Sequence, residues 1–160
     1  MTFVAIPPTA DIEQPAAPDT VIPNDGFFPD VDPANVRDVA RVPSSITAPR
    51  LRAAILGALL TMKADLRAYK VRQIAAGHAR LVDVPADELD GQSELLIMYQ
   101  RAVALYAKAE LIERHRDFDT TAAGSTVTEE LTPSITELRR DAQHAVRDLV
   151  GRGRTTVDLI

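Results

Sequence analysis

The sequence predicts an all-α fold: an antiparallel helical bundle of two long helices plus a third, with an extended N-terminal arm and a short C-terminal strand. Three observations lead there. Apolar residues recur at helical spacing over three long stretches. Cap-then-proline signals stand at Asp32-Pro33, Thr47-Ala48-Pro49 and Thr132-Pro133. The only strand-like alternation, around Val157 and Leu159, comes at the very end.

The elements follow in chain order. Asp32 is an N-cap and Pro33 the first residue of a short helix that runs to Arg41, ahead of Pro43. The second helix opens at Ala48-Pro49 and runs to Ala76, with Gly77 as its stop. Along it Leu51, Ile55, Leu59, Met62, Leu66 and Tyr69 step by four or three and form one face. Arg50, Arg52, Lys63, Arg67, Lys70 and Arg72 are read as its solvated side. The join LVDVPADELDGQS is punctuated by Pro85 and Gly91 and has room for one helical turn at Ala86–Leu89.

Ser93 or Asp90 then starts the next helix, which runs through about Asp117. It carries two stripes, Met98, Ala102, Leu105, Ala109, Ile112 and Leu96, Tyr99, Val103, Tyr106. Together they cover about 200° of the circumference, which predicts a helix in the middle of the bundle. After a loop-like 118–131, Thr132-Pro133 opens the last helix, to about Val150. Its apolar face is Ile135, Leu138, Ala142, Ala145, Val146 and Leu149, and Gly151 ends it.

These elements divide 160 residues into an extended, acidic, Pro-rich arm (1–32), a helical bundle (33–151) and a strand-like tail (152–160). The net charge of −5 is uneven: Asp11, Glu13, Asp19, Asp25, Asp30 and Asp32 give the arm −6, which leaves +1 for 33–160. Sequence-independent nucleic-acid binding needs a basic stripe, and the bundle offers none in its sum. With no cysteine, disulfides and thiolate metal sites are excluded. No apolar run approaches the ~20 residues of a membrane span, and MTFVAIPPTADIEQ lacks the basic start of a secretory signal. The expectation is a soluble intracellular protein.

Chemistry is hard to find. The chain has no P-loop, GxGxxG, HExxH or GxSxG motif. His78, His115 and His144 read as surface histidines without a carboxylate cluster to complete a metal site. DVPADELDG resembles a calcium loop only in composition, because the EF-hand ligand order is absent. The arginines Arg139, Arg140, Arg152 and Arg154 read as solvated. No enzyme, cofactor or metal is expected. The rival from another class is a small helical DNA-binding regulator, but that motif wants short helices, a tight turn and a basic recognition helix.

Both chain ends look unfinished. In FFPDVDP, Phe27 and Phe28 close the arm just before the first helix, either plugging the protein's own core or docking on another protein. Val31, directly before the cap, is the better candidate for a hydrophobic staple onto that helix. Phe3, Val4, Ile6, Val21 and Ile22 break the arm's polarity, as in a segment that orders on a partner, though a merely solvated terminus reads the same way. The C-terminal strand has no visible mate and suits β-addition to another chain.

The segments FFPDVDP, TAPRLRAAI, QIAAGHARLVDVPADELDG and RAVALYAKAELIERHRDFDTTAAG resemble the head completion (head stabilisation) family of temperate contractile-tailed phages of the P-two type, the GPL family. The resemblance runs from about Phe27 to the C-terminus, and AAGHARLVDVPADELDG is its most specific part. Members of that family often carry an aromatic where His78 stands. The resemblance implies a non-catalytic connector adaptor of the virion neck, made in the host cytoplasm. It would form a ring, twelvefold like the portal, beneath the portal protein. Such a ring would stabilise the filled head, offer a surface to the next neck or tail-completion protein, and let genomic DNA pass without sequence-specific binding or any membrane. The residues expected to bind partners are Phe3, Phe27, Phe28, Pro29 and Asp30 in the arm and Thr155, Thr156, Val157, Leu159 and Ile160 in the tail.

Overall fold

The computed structural model describes residues 20–116 and 134–152. Four helices pack together: α1 (Pro33–Ala40), α2 (Ala48–Ala75), α3 (Glu94–Arg116) and α4 (Ile135–Leu149). A 3-10 turn (Leu81–Asp83) and a two-stranded hairpin, β1 (Glu88–Leu89) and β2 (Gln92–Ser93), link α2 to α3.

Local chemistry sets most of the boundaries. The Asp32 carboxylate accepts from Ala34 N–H at 2.9 Å, with Pro33 at the first helical position. α1 ends on Arg41 in the left-handed region (φ 51°), and Val42 N–H reaches back to Arg37 C=O at 2.9 Å. That is a Schellman ending on a residue with a Cβ. The Arg37 guanidinium then donates to Pro43 C=O (2.9 Å) and Ile46 C=O (3.0 Å), which fixes the turn into α2. α2 closes in the same way, through Gly77 at φ +96° and His78 N–H on Gln73 C=O at 3.0 Å.

Two expectations are corrected. The helical turn at Ala86–Leu89 is absent: Glu88–Leu89 pairs antiparallel with Gln92–Ser93 around Asp90-Gly91, both at positive φ (51° and 69°). Asp-Gly is the sequence that a two-residue primed turn favours, and exposed residues 85–90 have no apolar face to hold a helix turn. α4 begins two residues later than Thr132-Pro133 indicated. Ser134 Oγ accepts from Glu137 N–H (3.2 Å) while Glu137 Oε2 accepts from Ser134 N–H (2.9 Å). This reciprocal capping box satisfies two donors at once.

α3 is the central helix, packed against α1, α2 and α4. Tyr99, Ala102, Val103, Ala104, Ala107 and Ala109 are all buried and cover more than half of its girth, while Gln100 and Arg101 are exposed. The missing Cβ of Gly57 on α2 makes room for α3: the Glu110 carboxylate sits where that Cβ would lie. Thus the start of α2 meets the end of α3, and Glu113 of late α3 pairs with Arg139 of early α4. Both long-helix pairs are antiparallel. The expected α2 face is buried at Leu51, Ile55, Met62, Leu66 and Tyr69, with Ala54 and Ala58 beside it.

From Thr20 onward the acidic arm is joined to this body. Ile22 and Val31 form an antiparallel bridge, N–H to C=O at 2.8 and 2.9 Å, and both side chains are buried. Residues 1–19 and the tail from 153 on lie outside the described residues.

Candidate partner-binding surfaces

The bridge between Ile22 and Val31 closes a loop whose tip holds Phe27 and Phe28, and Asp25 organises that tip. Its Oδ1 accepts from Phe27 N–H (3.2 Å) and Phe28 N–H (3.1 Å), an Asx-type turn. Its Oδ2 takes Lys70 Nζ of α2 at 2.7 Å. Burial opposes the Asp25 charge, but the Lys70 ammonium and the two backbone donors outweigh it and hold the carboxyl below its usual range. Lys70 also sits 5.9 Å from the centre of the Phe27 ring. The Phe27 carbonyl accepts from Leu81 N–H at 2.8 Å, locking the tip to the 3-10 turn.

The two rings are in the chain's own core, Phe27 at 3% and Phe28 at 5% exposure. They meet edge to face, centroids 4.9 Å apart, and Phe28 stacks on Tyr99 of α3. Asn24 donates through Nδ2 to the Tyr99 hydroxyl (2.8 Å) and Pro29 C=O (3.1 Å), and its N–H reaches Asp30 Oδ1 (2.8 Å). Burial pushes the Tyr99 phenol up to about 12, with the Asp25 charge adding to it. Val31 (N′) and Val36 (N4) are both buried at the positions of a hydrophobic staple.

Of the five arm residues expected to bind partners, Phe27 and Phe28 therefore stand behind the surface and Pro29 is half-buried. Asp30 is exposed. Pro29 and Asp30 line a groove of about 90 Å³ with Asp32, Val39 and Gln100, and Val39 is exposed. Phe3, Thr155, Thr156, Val157, Leu159 and Ile160 lie outside the described residues.

A larger feature escaped the sequence reading. α2 carries exposed apolar side chains as well as its buried face. Leu56, Leu60, Val71 and Ile74 are exposed by 45 to 71% and fall within about 60° of one another around the helix, about 125° around from the buried Ile55–Met62–Leu66 face. Interleaved Lys63 and Arg67 hid the stripe. Among the described residues no group of three His, Cys, Asp or Glu side chains converges to hold a metal ion. His78 and His144 are half-buried on separate parts of the fold. No described helix is long and apolar enough to cross a membrane.

What the geometry presents is a helical body with exposed apolar side chains along α2, compatible with the class of structural assembly proteins. Comparison with known proteins places that class in the heads of phages. The chain belongs to the phage head completion protein (GPL) family, whose model matches residues 22–160. It is a non-enzymatic structural component of the virion head. It is 41% identical over 152 residues to the head completion/stabilization protein of Escherichia phage P2, covering 95% of this chain and 90% of that one. It is 29% identical over 155 residues to the probable head completion/stabilization protein of Haemophilus phage HP1 (strain HP1c1), covering 89% of this chain and 93% of that one. No solved structure matches it.

Proposed function

We propose that the protein completes the head as a connector adaptor: copies assemble into a ring beneath the portal, twelvefold like the portal itself. The ring stabilises the DNA-filled head and offers a surface to the next neck or tail-completion protein. DNA passes through its lumen without sequence-specific contact.

The observation that carries this reading is the exposed apolar stripe on α2, in a protein whose family completes heads. Leu56 with Leu60 and Val71 with Ile74 form two exposed apolar pairs on one side of a long helix, with Lys63 and Arg67 between them, and exposed apolar surface rimmed by polar residues marks contact sites. The groove at Pro29, Asp30 and Val39 supplies a second, smaller face. The tail, with Thr155, Thr156, Val157, Leu159 and Ile160, is assigned to strand addition on an adjacent chain.

Light scattering tests the reading. The protein alone should be small, and mixing with purified portal should add a fixed number of copies per ring. A portal that stays at its own mass across a concentration series overturns the proposal.

A further inference from the structure

The geometry points to the occupant of the α2 stripe: we infer that the outer face of α2 in one copy receives residues 1–19 of a neighbouring copy. This deepens the ring reading and rests on it.

Three observations converge. The first is the stripe itself. Leu56, Leu60, Val71 and Ile74 span about 27 Å of helix, a length that about eight extended residues would cover. The leader contains Phe3, Val4 and Ile6 among small residues and prolines, a composition suited to lying extended in a shallow apolar track. The second is charge. α2 carries Arg50, Arg52, Lys63, Arg67, Lys70 and Arg72 against Asp65 alone, whereas residues 1–19 carry Asp11, Glu13 and Asp19 with no Lys or Arg. Lys63 and Arg67 are exposed within the stripe, between Leu60 and Val71, and pair with no acid among the described residues. They are free to meet the leader's carboxylates.

The third observation is direction. The arm already follows the edge of α2: the Thr20 carbonyl accepts from Arg52 Nη1 (2.8 Å) and Asp25 binds Lys70 Nζ (2.7 Å). Residues 20 to 25 therefore run from the N-terminal end of α2 toward its C-terminal end. The described arm thus begins, at Thr20, beside the N-terminal part of the helix. The stripe, from Leu56 to Ile74, runs on from there. Its own leader would have to double back along the described arm to lie on it, whereas nineteen extended residues span ~60 Å, long enough to reach the stripe of an adjacent copy. Repeated around a ring, each copy would give its leader to one neighbour and receive another.

The chain contains no cysteine, so engineered pairs report without background. Two full-length variants, Phe3→Cys and Leu60→Cys, are produced together in place of the natural chain, and the heads they complete are isolated and oxidised. A disulfide-linked dimer that requires both variants is expected. In parallel, a full-length Leu60→Asp, Val71→Asp protein should be retained on heads roughly tenfold less or worse, the scale of losing an apolar anchor from a docking site. Its circular dichroism should match the unsubstituted chain, since both positions are exposed.

Heads that carry several copies but yield no mixed link overturn the docking and leave the ring standing. A Leu60→Cys–Leu60→Cys link places a second helix there instead. An intrachain link in the doubly substituted Phe3→Cys, Leu60→Cys monomer places the protein's own leader there. Either result overturns the inference. Heads with no associated copies remove the ring reading and this inference together.

Discussion

The Phe28 ring lies nearly parallel to that of Tyr99, 7° between planes and 5.0 Å between centroids. The arm and the central helix are thus one packed unit, joined further by Asn24 to the Tyr99 hydroxyl. The acidic segment that looks detachable in sequence is anchored by an aromatic stack on α3.

Removing one partner should show how far the body depends on that stack. Phe28→Ala should destabilise the protein by about 3–5 kcal/mol, the usual range for emptying a buried phenylalanine site. Tyr99→Phe keeps the ring and removes only the hydroxyl that accepts from Asn24, at a cost of about 0.5–1.5 kcal/mol. Urea denaturation of both variants measures the difference. A Phe28→Ala midpoint equal to the natural one would mean that the arm contributes nothing to the body.

Two groups on this joint give it opposite pH limits. The Asp25 carboxyl is held below its ordinary value, so its contribution is complete above the unfolded value near 3.8 and is lost as pH falls through the lower folded value. The Tyr99 phenol is raised from 10.0 to about 12. The folded state keeps that proton where the unfolded chain releases it, so stability is complete below pH 10.0 and declines as pH rises toward about 12. Asp25→Asn should flatten the acid side of a stability–pH profile, and Tyr99→Phe the alkaline side. Burial also raises Tyr69 and Tyr106, so absorbance at the phenolate band should show all three tyrosines titrating after free tyrosine does, Tyr99 last.

The helices were legible because burial imposes a period. The α2 face through Ile55, Met62 and Leu66, and the double stripe of α3, followed from spacing alone. The arm's packing did not. Phe27-Phe28 sits in a proline-rich acidic stretch without a period, and Asn24 finds Tyr99 across 75 positions of sequence. The Asp90-Gly91 turn was visible as a dipeptide but passed as mere punctuation, since strands of two residues leave no alternation. The outer α2 stripe was masked by lysines and arginines whose apolar stems share the same surface.

Two backbone positions should tolerate or welcome change. Arg41 occupies the left-handed region at φ 51°, where glycine carries no Cβ penalty. Arg41→Gly should stabilise by about 0.5–1 kcal/mol. Gly57 lies inside α2, where alanine is favoured by about 0.8–1.0 kcal/mol. The obstacle to a Cβ there is the end of the flexible, partly exposed Glu110 side chain, which can swing aside. Gly57→Ala should therefore be neutral to mildly stabilising in thermal melts. A loss above about 2 kcal/mol, the scale of overpacking, would mean that Glu110 is fixed in place.

The C-terminal residues give the sharpest separation of folding from assembly. The described core ends with Leu149 and the Gly151 turn, and the packed faces of all four helices lie before residue 152. Deleting 155–160 should leave helical content and melting temperature within the scatter of the full chain. If Thr155, Thr156, Val157, Leu159 and Ile160 form a strand on a neighbouring subunit, the same deletion should abolish retention on heads, because the ladder hydrogen bonds that supply its affinity are gone. Single substitutions refine the test. Val157→Pro removes a backbone donor and should mimic the deletion if that N–H is in the ladder, while Asp158→Ala should have little effect. A truncated protein that loads onto heads as the full chain does would remove the strand-addition assignment and leave the outer face of α2, among the described residues, as the surface to test next.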